Sequence, residues 1–331
     1  MSELRRDPIV NRWVIISAER ASRPMPPWPA PAAPDGSFCP FCEGNEHSTP
    51  PEIMALRPAG SAPNGPGWSL RVVPNKFPAL TLQGAPAPED HGPYQRMDGA
   101  GVHEVIIETP DHRATLGAMD AGRVTDMLRA ARARFRSLAA DSRLACAQFF
   151  KNHGREAGAS LPHPHAQIIA MPVVSRRLIE ETCAARERFR ETGSCVLCHV
   201  VAHELAHGKR VIFQTRHFIA LAPYAARTPF ETWILPLGHR ARFEQETDEA
   251  LADLGAALSR VARAIGAALD SPPYNLILMS LPFREGGEES YHWRLEFLPV
   301  TSRLAGFEWG AGFHINTTPP EEAAARMREN S

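Results

Sequence analysis

Hydrophobic side chains recur along the chain with two periods, which predict where its helices and strands lie. Residues 120–139 have apolar side chains at helical spacing and arginines on the other face, a pattern typical of an amphipathic helix. We expect a matching helix near 251–269 and a third over 174–192. Between them, short apolar runs such as 104–109 and 146–150 are typical of strands.

The order of these elements occurs twice. Five landmarks of the first half recur in the second: a Cys-X-X-Cys pair, a long helix and three extended segments. The extended segments of the second half are 215–221, 234–241 and 292–299, which echo 74–80, 108–114 and 165–172. The repetition predicts two copies of one unit. Short turns and one long helix per copy indicate an α+β fold, an antiparallel sheet with helices packed on one side.

The repeat also predicts the domain boundaries. We expect an N-terminal domain over residues 1–175 and a C-terminal domain over 190–318, joined by the helix of 174–192. The last stretch, 319–331, is rich in charged residues, and we expect it to fray.

Composition narrows the classes of function. The chain has 331 residues and a formal net charge of -1, so it lacks the basic field that favours nucleic-acid binding. No apolar run approaches the roughly 20 residues that span a bilayer, and residues 1–6 lack the apolar core of a signal peptide. These features favour a cytoplasmic protein without membrane or nucleic-acid partners.

Cysteine usage points to metal. Disulfides are rare in a reducing compartment, and we expect Cys146 and Cys183 to be core residues. Each Cys-X-X-Cys pair, together with two later histidines, supplies two sulfur and two nitrogen donors, which favours tetrahedral zinc over a redox pair. Because all four positions are filled by protein, both sites are expected to be structural. The candidate ligands are Cys39, Cys42, His112 and His163 in the first half, and Cys195, Cys198, His239 and His292 in the second.

The stretch 158–167 concentrates the remaining chemistry. If a strand begins near Pro162, alternation places His163, His165 and Gln167 on one face. Pro164 removes a ladder donor, which is typical of a sheet edge or a site. The small residues that precede the stretch allow the backbone to approach a ligand closely.

This stretch resembles the His-Pro-His-X-Gln motif of the galactose-1-phosphate uridylyltransferase family, a branch of the histidine-triad superfamily of nucleotidyl transferases and hydrolases. The resemblance extends over about residues 5–318. It implies two histidine-triad-like domains whose sheets adjoin. It supports zinc at the first metal site. At the second site some relatives bind iron through other ligands, whereas adenylyl-transferring relatives have a second Cys-X-X-Cys zinc site.

With His163 held by metal, His165 is left as the nucleophile. A neutral imidazole can attack the α-phosphorus of a nucleoside diphosphate sugar, release sugar 1-phosphate and hold the nucleotide until a second sugar 1-phosphate, or phosphate, accepts it. Hydrolases of the superfamily have a third histidine where this chain has Gln167. Glutamine does not titrate, but its amide donates to a phosphoryl oxygen, which favours a transferase.

The resemblance also implies substrate contacts, although Asn152 and Ser160 are equally typical of turns. Arginines in the loop near the start of the chain are expected to approach the nucleotide. Neutral donors are expected to contact phosphate, and the side chain of a glutamate near the end of the chain is expected to contact the sugar. The expected substrate-binding residues are Arg20, Arg23, Asn75, Asn152, Ser160 and Glu308.

Four functions follow from these observations. The first is a UDP-glucose:galactose-1-phosphate uridylyltransferase. The second is an ADP-glucose phosphorylase, favoured by the second zinc set, by Lys76 where uridylyltransferases have an acidic residue, and by segment 309–316. The third is a non-catalytic, zinc-stapled nucleotide-binding protein, and the fourth is a hydrolase. Family members are commonly dimers, so a homodimer is expected.

Overall fold

The computed structural model describes residues 2–22 and 38–331. The strands of this part of the chain, in order, are β1 (Glu3–Arg6), β2 (Trp13–Ile16), β3 (Met54–Leu56), β4 (Leu70–Pro74), β5 (Glu89–His91), β6 (Tyr94–Arg96), β7 (Val102–Ile107), β8 (Cys146–His153), β9 (His165–Met171), β10 (Val211–Gln214), β11 (Phe218–Leu221), β12 (Thr232–Pro236), β13 (Tyr274–Met279), β14 (Arg294–Pro299) and β15 (His314–Asn316). The helices are α1 (Ala121–Ala139), α2 (Arg176–Thr192), α3 (Val196–His207), α4 (Asp248–Leu269), α5 (Gly306–Ala311) and α6 (Pro320–Glu329).

The three predicted helices are present, as α1, α2 and α4, and each begins at a residue that caps it. The side chains of Asp120, Ser175 and Thr247 accept a hydrogen bond from the backbone N–H three residues on, which satisfies one of the free donors at a helix start. At the other end of α2, Gly193 adopts φ 68°, a conformation that costs glycine little and ends the helix.

One antiparallel sheet joins the two halves. Its strand order is β10-β11-β12-β14-β13-β8-β9-β7-β4-β3, and β8 pairs with β13 in the middle. From either edge inward, the five strands of each half follow the same order, with the long helix of that half placed between its third and fourth strands in sequence. The predicted α+β class and the tandem repeat are therefore confirmed.

The main core lies between one face of this sheet and helices α1, α4 and α6. Alternate residues of the central strands, such as Phe149, Ile168 and Leu276, are buried against apolar faces of those helices. Helices α1 and α4 approach closely at Gly255, where a Cβ atom would lie 2.9 Å from the backbone nitrogen of Thr125. Any larger residue at Gly255 would push the two helices apart.

The opposite face of the second half is covered as well. Leu178 and Ala185 of α2 pack against Met279, and Val196 and Val201 of α3 belong to the cluster beneath β11 and β12. Helices α2 and α3 thus bury the second face of these strands, which the sequence repeat did not predict to be covered. Helix α3 was not predicted, because its apolar and histidine-rich sequence has no clear polar stripe.

The fraying predicted for 319–331 is wrong. Residues Pro320–Glu329 form α6, and Ala323, Ala324 and Met327 are fully buried in the main core. Glu321 accepts hydrogen bonds from Arg5 and Arg210, which anchors the start of the helix. The short apolar stripe is hidden in the sequence by the charged residues between its members.

One echo in the sequence is out of register. By its place in the sheet, β4 (Leu70–Pro74) is the equivalent of β11 (Phe218–Leu221) in the repeat. The sequence comparison instead aligned β11 with residues 77–80. Residues 75–80 form turns after β4, and Phe77 is exposed. None of the helices in the described part of the chain combines the length and apolarity needed to cross a membrane.

Candidate active site

Both predicted four-residue clusters form in the structure. The donor atoms of Cys39, Cys42, His112 and His163 all lie within 4.8 Å of one another, as do those of Cys195, Cys198, His239 and His292. Each Cys-X-X-Cys turn therefore meets one histidine that follows a strand of its half, β7 or β12, and one that directly precedes the strand beside it in the sheet, β9 or β14. Either cluster could hold a metal ion.

The direction of the imidazoles supports this assignment. Nδ1 of His163 is 3.6 Å from Sγ of Cys42, and Nδ1 of His292 is 3.6 Å from Sγ of Cys198. Nε2 of each ring faces a carbonyl, Thr109 O at 2.7 Å and Pro236 O at 3.1 Å. A carbonyl only accepts, so Nε2 bears the proton and Nδ1 presents its lone pair to the cluster.

The donor spacing suits a tetrahedral ion. Bonds of about 2.3 Å to sulfur and about 2.0 Å to nitrogen in a tetrahedron separate S and N by roughly 3.5 Å. Three of the four sulfur-to-nitrogen distances of the first cluster lie between 3.2 and 3.8 Å, and those from Cys198 are 3.3 and 3.6 Å. All four positions are taken by protein, which leaves no coordination position for substrate.

His165, at the start of β9, has the opposite tautomer. Its Nδ1 lies 2.8 Å from the carbonyl oxygen of His163, so Nδ1–H donates and Nε2 is left with a free lone pair. His163 therefore presents the lone pair of Nδ1 to the cluster, whereas His165 keeps its lone pair on Nε2.

The surroundings keep His165 neutral. Burial, with a smaller contribution from the charge of Lys151, lowers the pKa of this imidazole to about 4. Phe41, within the first Cys-X-X-Cys turn, packs edge-on against the ring at 5.3 Å between centroids. Sequence analysis did not single out Phe41, although its position between two ligands places it beside whatever the ligands hold.

A buried ion pair contacts the start of strand β9. Lys151 Nζ lies 2.9 Å from Glu108 Oε1 and 3.3 Å from the carbonyl oxygen of His165, and both charged side chains are almost fully buried. This pair ties β7 and β8 to the start of β9. The sequence signal for this ion pair is a lysine directly after the apolar run 146–150. Sequence analysis did not identify the pair.

Gln167 faces the same side of the sheet as His165, as predicted. It lies opposite Val105 of β7 and Phe150 of β8, and His165 lies opposite Ile107. The Oε1 atom of Gln167 is 2.8 Å from Nε2 of His103.

The loop between β8 and β9 adjoins Asn152. Gly158 adopts φ 89°, and its α-carbon faces the Asn152 amide closely enough that a Cβ would lie 3.6 Å from Nδ2. Asn275 of the second half donates to Asn152 Oδ1 and to Ala157 O, both at 2.8 Å. Asn275 thus fixes this loop across the junction of the two halves, a role that no local sequence pattern indicates.

The other predicted substrate-binding residues are spread around the site. Asn75 is half-buried beside His103, Ser160 is exposed in the β8–β9 loop, and Arg20 is exposed in the turn after β2. Glu308 accepts a hydrogen bond from Ala305 N at 2.9 Å, at the start of α5. Arg23 lies outside the described residues. The described contacts do not join Arg20 or Glu308 to His165.

The second half has no free histidine at the equivalent position. By strand pairing, His292 matches His163, so Arg294 matches His165 and Glu296 matches Gln167. The sequence echo that aligned His292 with His165 is therefore off by two residues. Arg294 donates to Glu181 and Glu296, and all three side chains are buried.

Helix α3 contains the pattern His-Glu-X-X-His at 203–207, which in other contexts binds catalytic zinc. Here the rings of His203 and His207 stack at 4.1 Å between centroids. Glu204 is buried in an ion pair with Arg210 at 2.6 Å and cannot serve as a base. The pattern therefore does not form a protease-type site.

The two units in one sheet, with a His-Pro-His strand in the first of them, define a tandem protein of the histidine-triad type. Comparison of the sequence with models of protein families identifies the family. The model described as galactose-1-phosphate uridyl transferase, N-terminal domain, matches residues 1–175, and that of the C-terminal domain matches residues 181–327. The chain belongs to the galactose-1-phosphate uridylyltransferase family and is a transferase.

Its relatives include two kinds of enzyme. An ADP-glucose phosphorylase of Arabidopsis thaliana is 37% identical, over 99% of this chain and 93% of the relative. A galactose-1-phosphate uridylyltransferase of Thermotoga maritima is 30% identical, over 99% of this chain and 98% of the relative. A crystal structure of an ADP-glucose phosphorylase from Arabidopsis thaliana with bound ADP-glucose superposes with a TM-score of 0.85 at 35% identity, covering 100% of this chain and 99% of its own.

Proposed function

We propose that the protein transfers a nucleoside monophosphate from a nucleotide sugar to a sugar 1-phosphate through a nucleotidyl-His165 intermediate. The observation that supports this most directly is the tautomer of His165. Because its Nδ1–H donates to the carbonyl of His163, Nε2 has a free lone pair and no proton to lose before it attacks.

The reaction has two displacements. Nε2 of His165 forms a bond to the α-phosphorus, and the bond from that phosphorus to the bridging oxygen breaks, which releases sugar 1-phosphate. A phosphate oxygen of the acceptor then bonds to the same phosphorus, and the bond to Nε2 breaks. The amide N–H of Gln167 donates to a phosphoryl oxygen in both steps. An enzyme that works in this way shows ping-pong kinetics.

The first candidate donor is UDP-glucose, with galactose 1-phosphate as acceptor. It follows from membership of the family and from the Thermotoga maritima relative that has this name, which aligns with almost the whole chain.

The second candidate is phosphorolysis of ADP-glucose. The Arabidopsis thaliana relative with this name has 37% identity, against 30% for the Thermotoga maritima enzyme, and the chain has a complete second Cys₂His₂ cluster. Lys76, exposed after β4, further favours this donor.

We also propose that zinc occupies both clusters and has a structural role, because each set of two thiolates and two imidazoles closes a tetrahedron. Arg20, Arg23, Asn75, Asn152, Ser160 and Glu308 are proposed to contact the nucleotide sugar. We expect a cytoplasmic homodimer.

Intact-protein mass spectrometry tests the proposal. Wild type and a His165→Gly variant are incubated separately with UDP-glucose and with ADP-glucose. A uridylyl adduct that the variant lacks supports the first candidate, and an adenylyl adduct with the same dependence supports the second. If wild type binds both donors, forms no adduct and releases no nucleotide, the protein is a non-catalytic nucleotide-binding protein and the proposal is wrong. Release of nucleotide without an acceptor would instead indicate a hydrolase.

A further inference from the structure

His103 occupies a position from which it can control Gln167. It precedes Val105 by two residues on β7, so it shares a face of the sheet with Val105, Gln167 and His165. Gln167 lies directly opposite Val105, which makes His103 its diagonal neighbour. The side chain is half-buried, and its Nε2 is 2.8 Å from Oε1 of Gln167.

The tautomer of His103 follows from its second nitrogen. Backbone N–H of Ala79 points at Nδ1 at 3.1 Å, and an N–H can only donate. Nδ1 is therefore the acceptor, and the proton of the neutral ring is on Nε2. That proton is donated to Gln167, whose contacting atom must then be the carbonyl oxygen.

This contact determines what Gln167 presents to a ligand. With Oε1 held by His103, the amide nitrogen is the free end, and within residues 2–22 and 38–331 it has no hydrogen-bond partner. Rotation of the amide by half a turn would instead present a carbonyl oxygen to a phosphoryl oxygen, which repels. Without a donor at Oε1, a glutamine amide has little reason to prefer one orientation.

We propose that His103 is a positioning residue that fixes Gln167 with its N–H groups directed at the phosphoryl oxygen during nucleotide transfer. The inference rests on the proposed nucleotidyltransferase function. His103 does not touch the reacting atoms. It acts through Gln167, and it also connects Gln167 to the turn 75–79. Ala79 N–H donates to Nδ1, and Nδ2 of Asn75 lies 3.1 Å from Nε2 and 3.5 Å from Nδ1, so the Asn75 amide contacts the face of the ring and leaves the Nε2–H directed at Gln167.

Three substitutions separate the two contacts of the ring. In His103→Gln, the side-chain amide reaches the place of Nε2 and can still donate to Gln167. In His103→Asn, the shorter amide can accept from Ala79 but cannot reach Gln167. His103→Phe keeps the ring shape and removes both contacts. The rate of adduct formation at saturating donor is measured for each by quenched-flow mass spectrometry, with KM for the donor.

We expect His103→Asn and His103→Phe to lower the rate of adduct formation about tenfold or more, with KM little changed, because a transition-state donor is misdirected. His103→Gln should recover most of the rate. Adding His103→Asn to Gln167→Ala should cost nothing further, since the group that His103 positions is already absent. Thermal unfolding of each variant verifies that the fold is retained.

Two results would overturn the inference. One is an adduct rate in His103→Asn and His103→Phe equal to that of wild type. The other is a fold loss in the double variant equal to the product of both single fold losses, which indicates a general structural role. Failure of the proposed function gives a different result, since wild type itself would then form no adduct.

Discussion

The two halves of the sheet have the same strand order and the same type of Cys₂His₂ cluster. They differ in the side chains on the strand that follows the second histidine. In the first half, His163 is followed by His165 and Gln167, each of which keeps one nitrogen without a protein partner in the part of the chain that the structure describes. In the second, His292 is followed by Arg294 and Glu296, whose charged groups pair with the protein.

The paired charges form a buried network. Glu296 accepts from Arg177 and Arg227, each at 2.6 Å, as well as from Arg294. Burial opposes ionisation of Glu296, but these three arginines outweigh it and hold the pKa of the carboxyl well below its usual range. The Cys₂His₂ cluster is common to both halves, so it cannot by itself account for the nucleophile proposed at His165. Among the described residues, what distinguishes the first half is a strand whose polar side chains keep atoms without a protein partner.

Breaking the two clusters one at a time gives the largest contrast. Cys42→Ser should release the metal of the first cluster, free His163 to move, and slow formation of the His165 adduct about a hundredfold or more. Cys198→Ser should lose the other metal and lower the free energy of unfolding, yet still form the adduct. Metal content by atomic absorption and adduct rates by mass spectrometry provide the measurement. Equal losses of adduct formation in both variants would contradict the division of roles.

Removing the central arginine of the second half tests its structural role. Arg294→Met leaves Glu181 and Glu296 with fewer partners in a buried site, and we expect it to lower the free energy of unfolding by about 3–5 kcal/mol, measured by urea denaturation. Arg129→Met is the matched control. Arg129 is 43% exposed and pairs with Asp126 at 3.3 Å, so its loss should cost about 0.5 kcal/mol or less. An Arg294 effect as small as the control would show that the network is not a stabilising core.

The smallest effect is expected at the junction of the halves, where His153 stacks on Tyr274 at 4.9 Å between ring centroids. Burial, with the charge of Lys151, lowers the pKa of His153 from 6.5 to about 4. Between these values the unfolded chain binds a proton that the folded chain does not. The contribution of His153 to stability is therefore complete above pH 6.5 and declines as pH falls towards 4.

His153→Phe keeps the stacking and removes the titration. Urea unfolding at pH 7.5 and at pH 5.5 should then show a smaller loss of stability on acidification in the variant than in wild type. The difference between the two proteins isolates His153 from the other buried histidines. An identical loss in both would mean that the His153 proton does not contribute.

Sequence predicted the parts of this molecule that depend on short-range patterns. The helical spacing of 120–139 and the cap at Asp120 are local, so the bounds of α1 follow from them. The residues of both clusters were also predicted to lie together, because Cys-X-X-Cys and its two later histidines recur as fixed landmarks.

Long-range pairing was the part that sequence could not supply. The two-residue shift that aligns Arg294 with His165 depends on which strand neighbours which, and a side chain two positions away lies on the same face, so alternation alone cannot detect it. The contacts of Asn275 with the β8–β9 loop and of His103 with Gln167 join residues far apart in sequence. Burial of 323–327 likewise depends on α4 and the strand beside it.

The pairing of β8 with β13 has a consequence for how the protein can be divided. A fragment that ended near residue 175 would leave the β13-facing edge of β8 unpaired at residues 150–153, with backbone groups ready to bind another copy and aggregate. It would also lack Asn275, and with it the contact that holds Ala157. The C-terminal half thus covers an open strand edge of the half that contains His165 and fixes the loop before it, so the N-terminal half is structurally incomplete alone.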